Sequence, residues 1–154
     1  MPFEIERKFL INELPARWQE FSNERIAQGY LFNNEEGVVR VRQKGNRFFQ
    51  TIKKSGLKIR EEIEFELSKS QFDQMWEYAS KQVISKTRYY IPYHSYTIEL
   101  DIFEDSLQGL VVAEVEFNSE QESNLFKPPV WFGKEITEDQ RYQNNRLAIN
   151  GIPS

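Results

Sequence analysis

The stretch Val38-Val39-Arg40-Val41-Arg42-Gln43-Lys44-Gly45-Asn46-Arg47-Phe48-Phe49-Gln50-Thr51-Ile52-Lys53-Lys54 carries the pattern of a β-hairpin. Val39 and Val41 alternate with Arg40 and Arg42, and in a strand successive side chains point to opposite faces, so each pair occupies its own face. Gly45-Asn46 is a good hairpin tip because both residues tolerate the backbone that a tight turn needs. The result is a pair of strands with arginines along one side.

The same alternation extends in both directions. Residues 26–32 form a strand whose Gly29 marks a bulge or a close backbone approach, and a loop spans 33–37. After a turn at Ser55-Gly56, residues 59–67 set Ile59, Glu61, Ile63, Phe65 and Leu67 against Arg60, Glu62, Glu64 and Glu66. Residues 83–91 carry Lys86 and Arg88 on one face, and a turn is expected over 92–95. Residues 96–103 place Glu99 and Asp101 opposite Ile98, Leu100 and Ile102, and residues 110–117 place Glu114 and Glu116 opposite Ala113, Val115 and Phe117. With a first strand over 3–11 this makes about eight strands at hairpin-like spacing, an antiparallel arrangement. Trp18 and Phe21 suit a short helical turn. A longer helix begins at Ser70 as N-cap, with Asp73 approximating a capping box, and Phe72, Met75, Trp76 and Ala79 form the stripe that packs on the sheet. Short helices are expected at 120–126, at 138–142 behind Thr137 as N-cap, and at 144–150, with Trp131-Phe132 anchoring a loop. The fold class is β-rich α+β with a few packing helices and a short C-terminal helical segment.

At 154 residues the chain suits a single domain over 1–154 with a sizeable core. It shows no signal-peptide pattern and no apolar run long enough for a bilayer, so a cytoplasmic protein without a membrane partner is expected. The absence of cysteine removes disulfides, a thiolate nucleophile and zinc–thiolate sites. A net charge of −4 argues against a general nucleic-acid binder. Trp18 and Phe132 suit either the core or the interface of a homodimer.

The charges are sorted by strand. The third strand presents Arg40 and Arg42, the fourth Lys53, and the sixth Lys86 and Arg88. The seventh presents Glu99 and Asp101, and the eighth Glu114 and Glu116. A solvated face tends to mix its signs. If the strands close into a barrel with these faces inward, a basic wall opposes an acidic one, and eight strands leave room for side chains or one small ligand. Burying so many ionised groups is very costly unless they are paired. A polyphosphate with a divalent metal satisfies both walls, since arginine forks bind phosphate oxygens and clustered carboxylates suit Mg²⁺ or Mn²⁺. Cross-barrel salt bridges without a ligand are the alternative. In Glu4-Ile5-Glu6-Arg7-Lys8 the two glutamates and Lys8 share a face, by itself an ordinary wet strand with a local ion pair. Beside the sorted walls, that strand fits the seam between them, and Arg7, on the other face, stays out of the chemistry.

No phosphate-binding G-x-x-x-x-G-K-[ST] loop, G-x-G-x-x-G, H-E-x-x-H or G-x-S-x-G motif is present. The sole histidine, His94, sits in a turn, so no Ser–His triad is available. Phosphoryl transfer by positioning and metal electrostatics needs neither histidine nor cysteine.

The sequence resembles the CYTH superfamily, the triphosphate tunnel metalloenzymes, and in particular its short bacterial type. The resemblance rests on Glu4-Ile5-Glu6-Arg7-Lys8, Val39-Arg40-Val41-Arg42, Thr51-Ile52-Lys53, Arg60-Glu61-Glu62-Ile63-Glu64, Lys86-Thr87-Arg88-Tyr89, Leu100-Asp101 and Glu114-Val115-Glu116, in that order. The stretch 128–141 also looks like the C-terminal part of bacterial members. The resemblance implies an eight-stranded antiparallel closed β-barrel, the triphosphate tunnel, and metal-dependent hydrolysis of inorganic tripolyphosphate to pyrophosphate and phosphate with Mg²⁺ or Mn²⁺. It makes Glu4, Glu6, Glu114 and Glu116 metal ligands, with Asp101 a further ligand or water-holder. Arg40, Arg42, Lys53, Lys86 and Arg88 become the phosphate clamp, joined by Arg60. Lys8 with Tyr30 resembles a catalytic lysine and tyrosine dyad, although Tyr30 suits equally an aromatic packed beside Gly29. Glu62 and Glu64 orient water, hold a second metal or neutralise the basic wall. Asp139 and Arg141 cap the tunnel or form a helix-end ion pair. Hydrolysis of nucleoside or thiamine triphosphates, ATP cyclisation by a class IV adenylyl cyclase, and a non-catalytic polyphosphate or nucleotide sensor are the alternatives.

Overall fold

Each alternating stretch forms a strand within its described residues. The computed structural model describes residues 5–54, 62–79 and 82–154. Its strands are β1 (Ile5–Leu10), β2 (Asn23–Asn34), β3 (Gly37–Lys44), β4 (Arg47–Lys54), β5 (Glu62–Leu67), β6 (Val83–Tyr93), β7 (Tyr96–Phe103) and β8 (Val111–Phe117). They form one sheet in the order β1-β8-β7-β6-β2-β3-β4-β5, and each neighbouring pair is antiparallel. Gly45, at φ 60, takes the left-handed tip of the β3–β4 hairpin, as its lack of a Cβ allows. The turn after β6 is confined to His94 and Ser95, because Pro92 and Tyr93 still pair with β7.

The closed barrel is not seen among the described residues, where β1 and β5 are the ends of an open sheet. The backbone groups of β1 that would face a closing strand are already used. The N–H of Leu10 donates to the carbonyl of Lys134, Gly133 donates to Leu10 and Ile136 donates to Lys8, each at 2.8 Å. Lys8 N–H donates to Thr137 Oγ1 at 3.0 Å. Residues 133–137 therefore occupy the outer edge of β1, which also protects an otherwise sticky strand edge. This explains a second departure: Thr137 serves β1 and caps no helix. Only a single 3₁₀ turn, Gln140–Tyr142, forms behind it, capped by Asp139.

The two sheet faces have different cover. On one, Phe9, Ile98, Leu100, Ala113, Val115 and Phe117 pack with Phe126, just after helix α2 (Glu120–Leu125). Farther along that face, Val41 and Leu67 meet Phe72 of helix α1 (Lys69–Trp76). The cap of α1 is Ser68, two residues before the expected Ser70. Ser68 Oγ accepts from Gln71 N–H at 3.1 Å while Gln71 Oε1 accepts from Ser68 N–H at 2.9 Å. Asp73 pairs instead with Lys69 at 2.7 Å. The expected close approach at Gly29 is present: a Cβ there would lie 2.7 Å from Ala79 Cβ and 3.1 Å from the Trp76 ring, while the bulge falls between Tyr30 and Phe32. Gly29→Ala is expected to destabilise the protein by about 1–3 kcal/mol through overpacking, and a urea melt with an unchanged midpoint would refute this.

The opposite face is apolar at one end and charged beyond it. Tyr30, Ile84, Phe103 and Val112 pack with Leu107, Leu110, Ile136 and Leu147 of helix α3 (Asn144–Asn150). On the same strands and the same side follow Lys86 and Arg88 after Ile84, Asp101 and Glu99 before Phe103, and Glu114 and Glu116 after Val112. A dry floor thus lies beneath a charged region.

Candidate active site

The cations of this face fall into two classes. Arg40 and Arg42 stand on β3, opposite Tyr30 and Gln28 of β2 in the pairing register. Arg40 is only 8% exposed. Nε of each arginine is buried without a hydrogen-bond partner, and among the described residues neither arginine forms an ion pair. Burial, reinforced by repulsion from Arg40 and Arg88, pulls Arg42 down to about 10, with Glu64 opposing. Leaving cationic donors buried and unmatched is expensive unless an anion completes them. Burial also pushes the Tyr30 hydroxyl up, against the charge of Arg40, and that hydroxyl accepts from Gln28 Nε2 at 2.8 Å.

Lys86 and Arg88 of β6 are matched internally. Lys86 Nζ lies 2.8 Å from Asp101 Oδ2, and Arg88 donates through Nε and Nη2 to the two oxygens of Asp101 at 2.8 and 2.9 Å. Arg88 Nη1 reaches Glu99 at 2.7 Å. Burial pushes Asp101 up, but the charges of Lys86 and Arg88 and their hydrogen bonds outweigh it and hold the carboxyl down to about 2. Asp101, expected as a further metal ligand or water-holder, here contacts the basic wall through both oxygens. On β4 and β5, Lys53 lies 3.8 Å from Glu62, and Thr51 donates to Glu64 at 2.8 Å. Of the three roles open to Glu62 and Glu64, neutralising the basic wall is the one these contacts favour.

Acidic groups gather on β1, β7 and β8. Glu6 stands opposite Glu116, Lys8 opposite Glu114, and Glu99 opposite Glu114. Lys8 Nζ lies 3.3 Å from Glu114 Oε1. Burial raises Glu114, yet Lys8 first, then Lys86 and Arg88, carry it below the usual carboxylate range. Glu99 goes the other way: burial raises it, Arg88 opposes, and Glu114, Asp101 and Glu116 add to the rise. Such a surplus of negative charge on hard oxygen donors fits a divalent cation. Among the described residues no three acids are drawn together at ligating distance. Glu4 and Arg60 lie outside the described residues.

No hydrogen bond joins Lys8 to Tyr30, whose partner is Gln28. Asp139 and Arg141 form a local ion pair at 2.7 Å, as a helix-end pair would. Gln28, Thr51 and Glu99 received no site role in the sequence analysis. Each lies two residues from a named member of the site, so strand period alone carried the signal. Glu24 was also missed. It accepts from Tyr90 and lies 3.8 Å from Lys44, a cluster that depends on β2 pairing with β6, and no local pattern announces that pairing.

A model of the CYTH domain matches residues 2–142. The chain is 39% identical over 150 residues to an inorganic triphosphatase of Nitrosomonas europaea, covering 96% of this chain and 97% of that protein. An inorganic triphosphatase of Acetivibrio thermocellus is 36% identical over 149 residues, covering 96% of this chain and 94% of its own. The crystal structure of the inorganic triphosphatase NE1496 matches with a TM-score of 0.79 at 38% identity, covering 100% of this chain and 99% of that one.

Proposed function

The chain belongs to the CYTH family, and from that premise we propose that it hydrolyses inorganic tripolyphosphate to pyrophosphate and phosphate with a divalent metal. The observation that carries this reading is that Arg40 and Arg42 each keep a buried Nε without a partner, a demand for anionic oxygen on the same sheet face as the carboxylates. Arg40 and Arg42, with Lys53 and Arg60, take the phosphate oxygens as forks and point charges. Arg88 borders them, fixed by Asp101. These residues hold the phosphate chain in line and stabilise the leaving pyrophosphate as the bond from its oxygen to the terminal phosphorus breaks and water's oxygen bonds to that phosphorus. Lys8 and Tyr30 act separately in this arrangement, Lys8 beside Glu114 and Tyr30 against Arg40. Glu4, Glu6, Glu114 and Glu116 would hold Mg²⁺ or Mn²⁺, which supplies Lewis-acid withdrawal of charge and a more acidic water. The tunnel of this reading is the charged side of an open sheet. No helix among the described residues is long and apolar enough to cross a membrane, and a cytoplasmic, single-domain enzyme acting on a small-molecule triphosphate is the fitting context.

Phosphate release is the test, measured with tripolyphosphate, ATP, thiamine triphosphate and pyrophosphate in parallel. The expected result is release from tripolyphosphate with Mg²⁺ or Mn²⁺ that stops in chelator. Cyclic AMP with pyrophosphate from ATP would mark a cyclase, and thermal stabilisation by an unconsumed ligand would mark a sensor. No release with either metal from neutral to alkaline pH overturns the proposal.

A further inference from the structure

Asp101 is 1% exposed, and both its oxygens are engaged. Oδ1 accepts from Arg88 Nε at 2.8 Å, and Oδ2 accepts from Arg88 Nη2 at 2.9 Å and lies 2.8 Å from Lys86 Nζ. The fork holds the guanidinium in one plane, and Glu99 pins its third nitrogen, Nη1, at 2.7 Å. Lys86 has little freedom of its own: its side chain is 2% exposed and its ammonium lies 5.1 Å from the centre of the Phe103 ring. A metal on the remaining lone-pair direction of Asp101 would sit beside two buried cations, and one that displaced a donor would leave a lysine or arginine buried next to it. Breaking a buried pair from one side is among the costlier changes a protein can suffer. A carboxylate accepts along about four lone-pair directions, and three here are taken by protein donors.

We infer that Asp101 is a positioning residue of the phosphate clamp and not a metal ligand: it sets the plane of Arg88, whose remaining N–H groups then meet the substrate's phosphate oxygens. Arg88 is the outer member, with a side chain 11% exposed against 2% for Lys86. Lys86 closes the far side of Asp101, so the carboxylate carries a counter-charge whether or not substrate is bound. The role in phosphate binding rests on the triphosphatase reading, but it is tested without turnover.

The experiment is calorimetry on the full chain, with tripolyphosphate in chelator and, separately, with Mn²⁺ alone. Asp101→Asn keeps the shape and removes the charge that orders both donors. The expected result is tripolyphosphate affinity weakened on the order of tenfold, as for the loss of an oriented charge-assisted contact, with Mn²⁺ affinity within about twofold of wild type. Combined with Arg88→Gln, it should weaken tripolyphosphate no further than Arg88→Gln alone, since a residue acting through Arg88 has nothing left to orient. Mn²⁺ affinity lowered about tenfold, tripolyphosphate affinity unchanged, or strictly additive losses in the double variant would each overturn the proposal, as would a wild-type protein that takes up no tripolyphosphate in chelator. If Asp101→Asn alone does not fold, the Lys86→Met, Asp101→Asn variant removes the lysine's unpaired charge and answers the Mn²⁺ question: wild-type affinity supports the inference and a tenfold loss defeats it. Wild-type protein that binds tripolyphosphate in chelator yet releases no phosphate once Mg²⁺ or Mn²⁺ is supplied would end the triphosphatase reading and leave the positioning role standing.

Discussion

Arg42→Met is expected to stabilise the ligand-free protein while lowering kcat/KM for tripolyphosphate by about a hundredfold or more, the scale of one lost transition-state donor. The two effects share a cause. Arg42 is half-buried, with its Nε enclosed and unmatched, beside the charges of Arg40 and Arg88, which Glu64 offsets in part. Replacing such a charge by an apolar side chain of similar length should recover about 1–3 kcal/mol, or some degrees of melting temperature at this chain length. The pH dependence follows from the direction of the shift. Arg42 sits at about 10 in the folded chain, below its ordinary value, so between the two the unfolded chain holds more protons and wild-type stability gains with rising pH. At neutral pH the whole penalty is present, and a bound anion relieves it. Tripolyphosphate in chelator should therefore raise the melting temperature of wild type more than that of the variant. A ligand-free variant that melts lower, with undiminished phosphate release, would count decisively against the role given to Arg42.

Glu116→Gln should act on the metal side without disturbing the fold. Glu116 is an exposed residue of β8 opposite Glu6, and its charge adds to the repulsion felt by Glu99. The amide keeps the shape and removes one anionic donor. We expect the metal concentration for half-maximal rate to rise about tenfold or more, within the range seen when a metal site loses a supporting group, and the saturated rate to fall by about a hundredfold. Thermal stability in chelator should be unchanged or slightly higher, because a like-charge contact is removed. A Mn²⁺ titration of phosphate release that overlays wild type would exclude Glu116 from the metal site.

Strand placement was legible because a period of two is written in the sequence residue by residue: Arg40 against Val41, Glu114 against Val115. The position of the α1 cap was not, since Ser68 with Gln71 and Ser70 with Asp73 are both acceptable capping pairs. The register after β5 and the side-chain reach of Gln71 selected the first. Thr137 was misread for a related reason. It has the local chemistry of an N-cap, and only the arrival of residues 133–137 along β1 gives its hydroxyl a better partner.

By itself the sequence determined which side chains share a charged face, because alternation along a strand is a local property of the backbone. It also determined the inventory: carboxylates, arginines and lysines in the order of the CYTH family, with no thiol and a single histidine. Tertiary structure alone decided how those charges divide. Strand order sets β6 beside β7, so Lys86 and Arg88 find Asp101 and Glu99, and it sets β3 between β2 and β4, where Arg40 and Arg42 meet Tyr30, Gln28 and Thr51. Cations alike in sequence thus become matched or unmatched according to which strand lies alongside, and at low dielectric that difference separates a structural ion pair from a site that demands an anion.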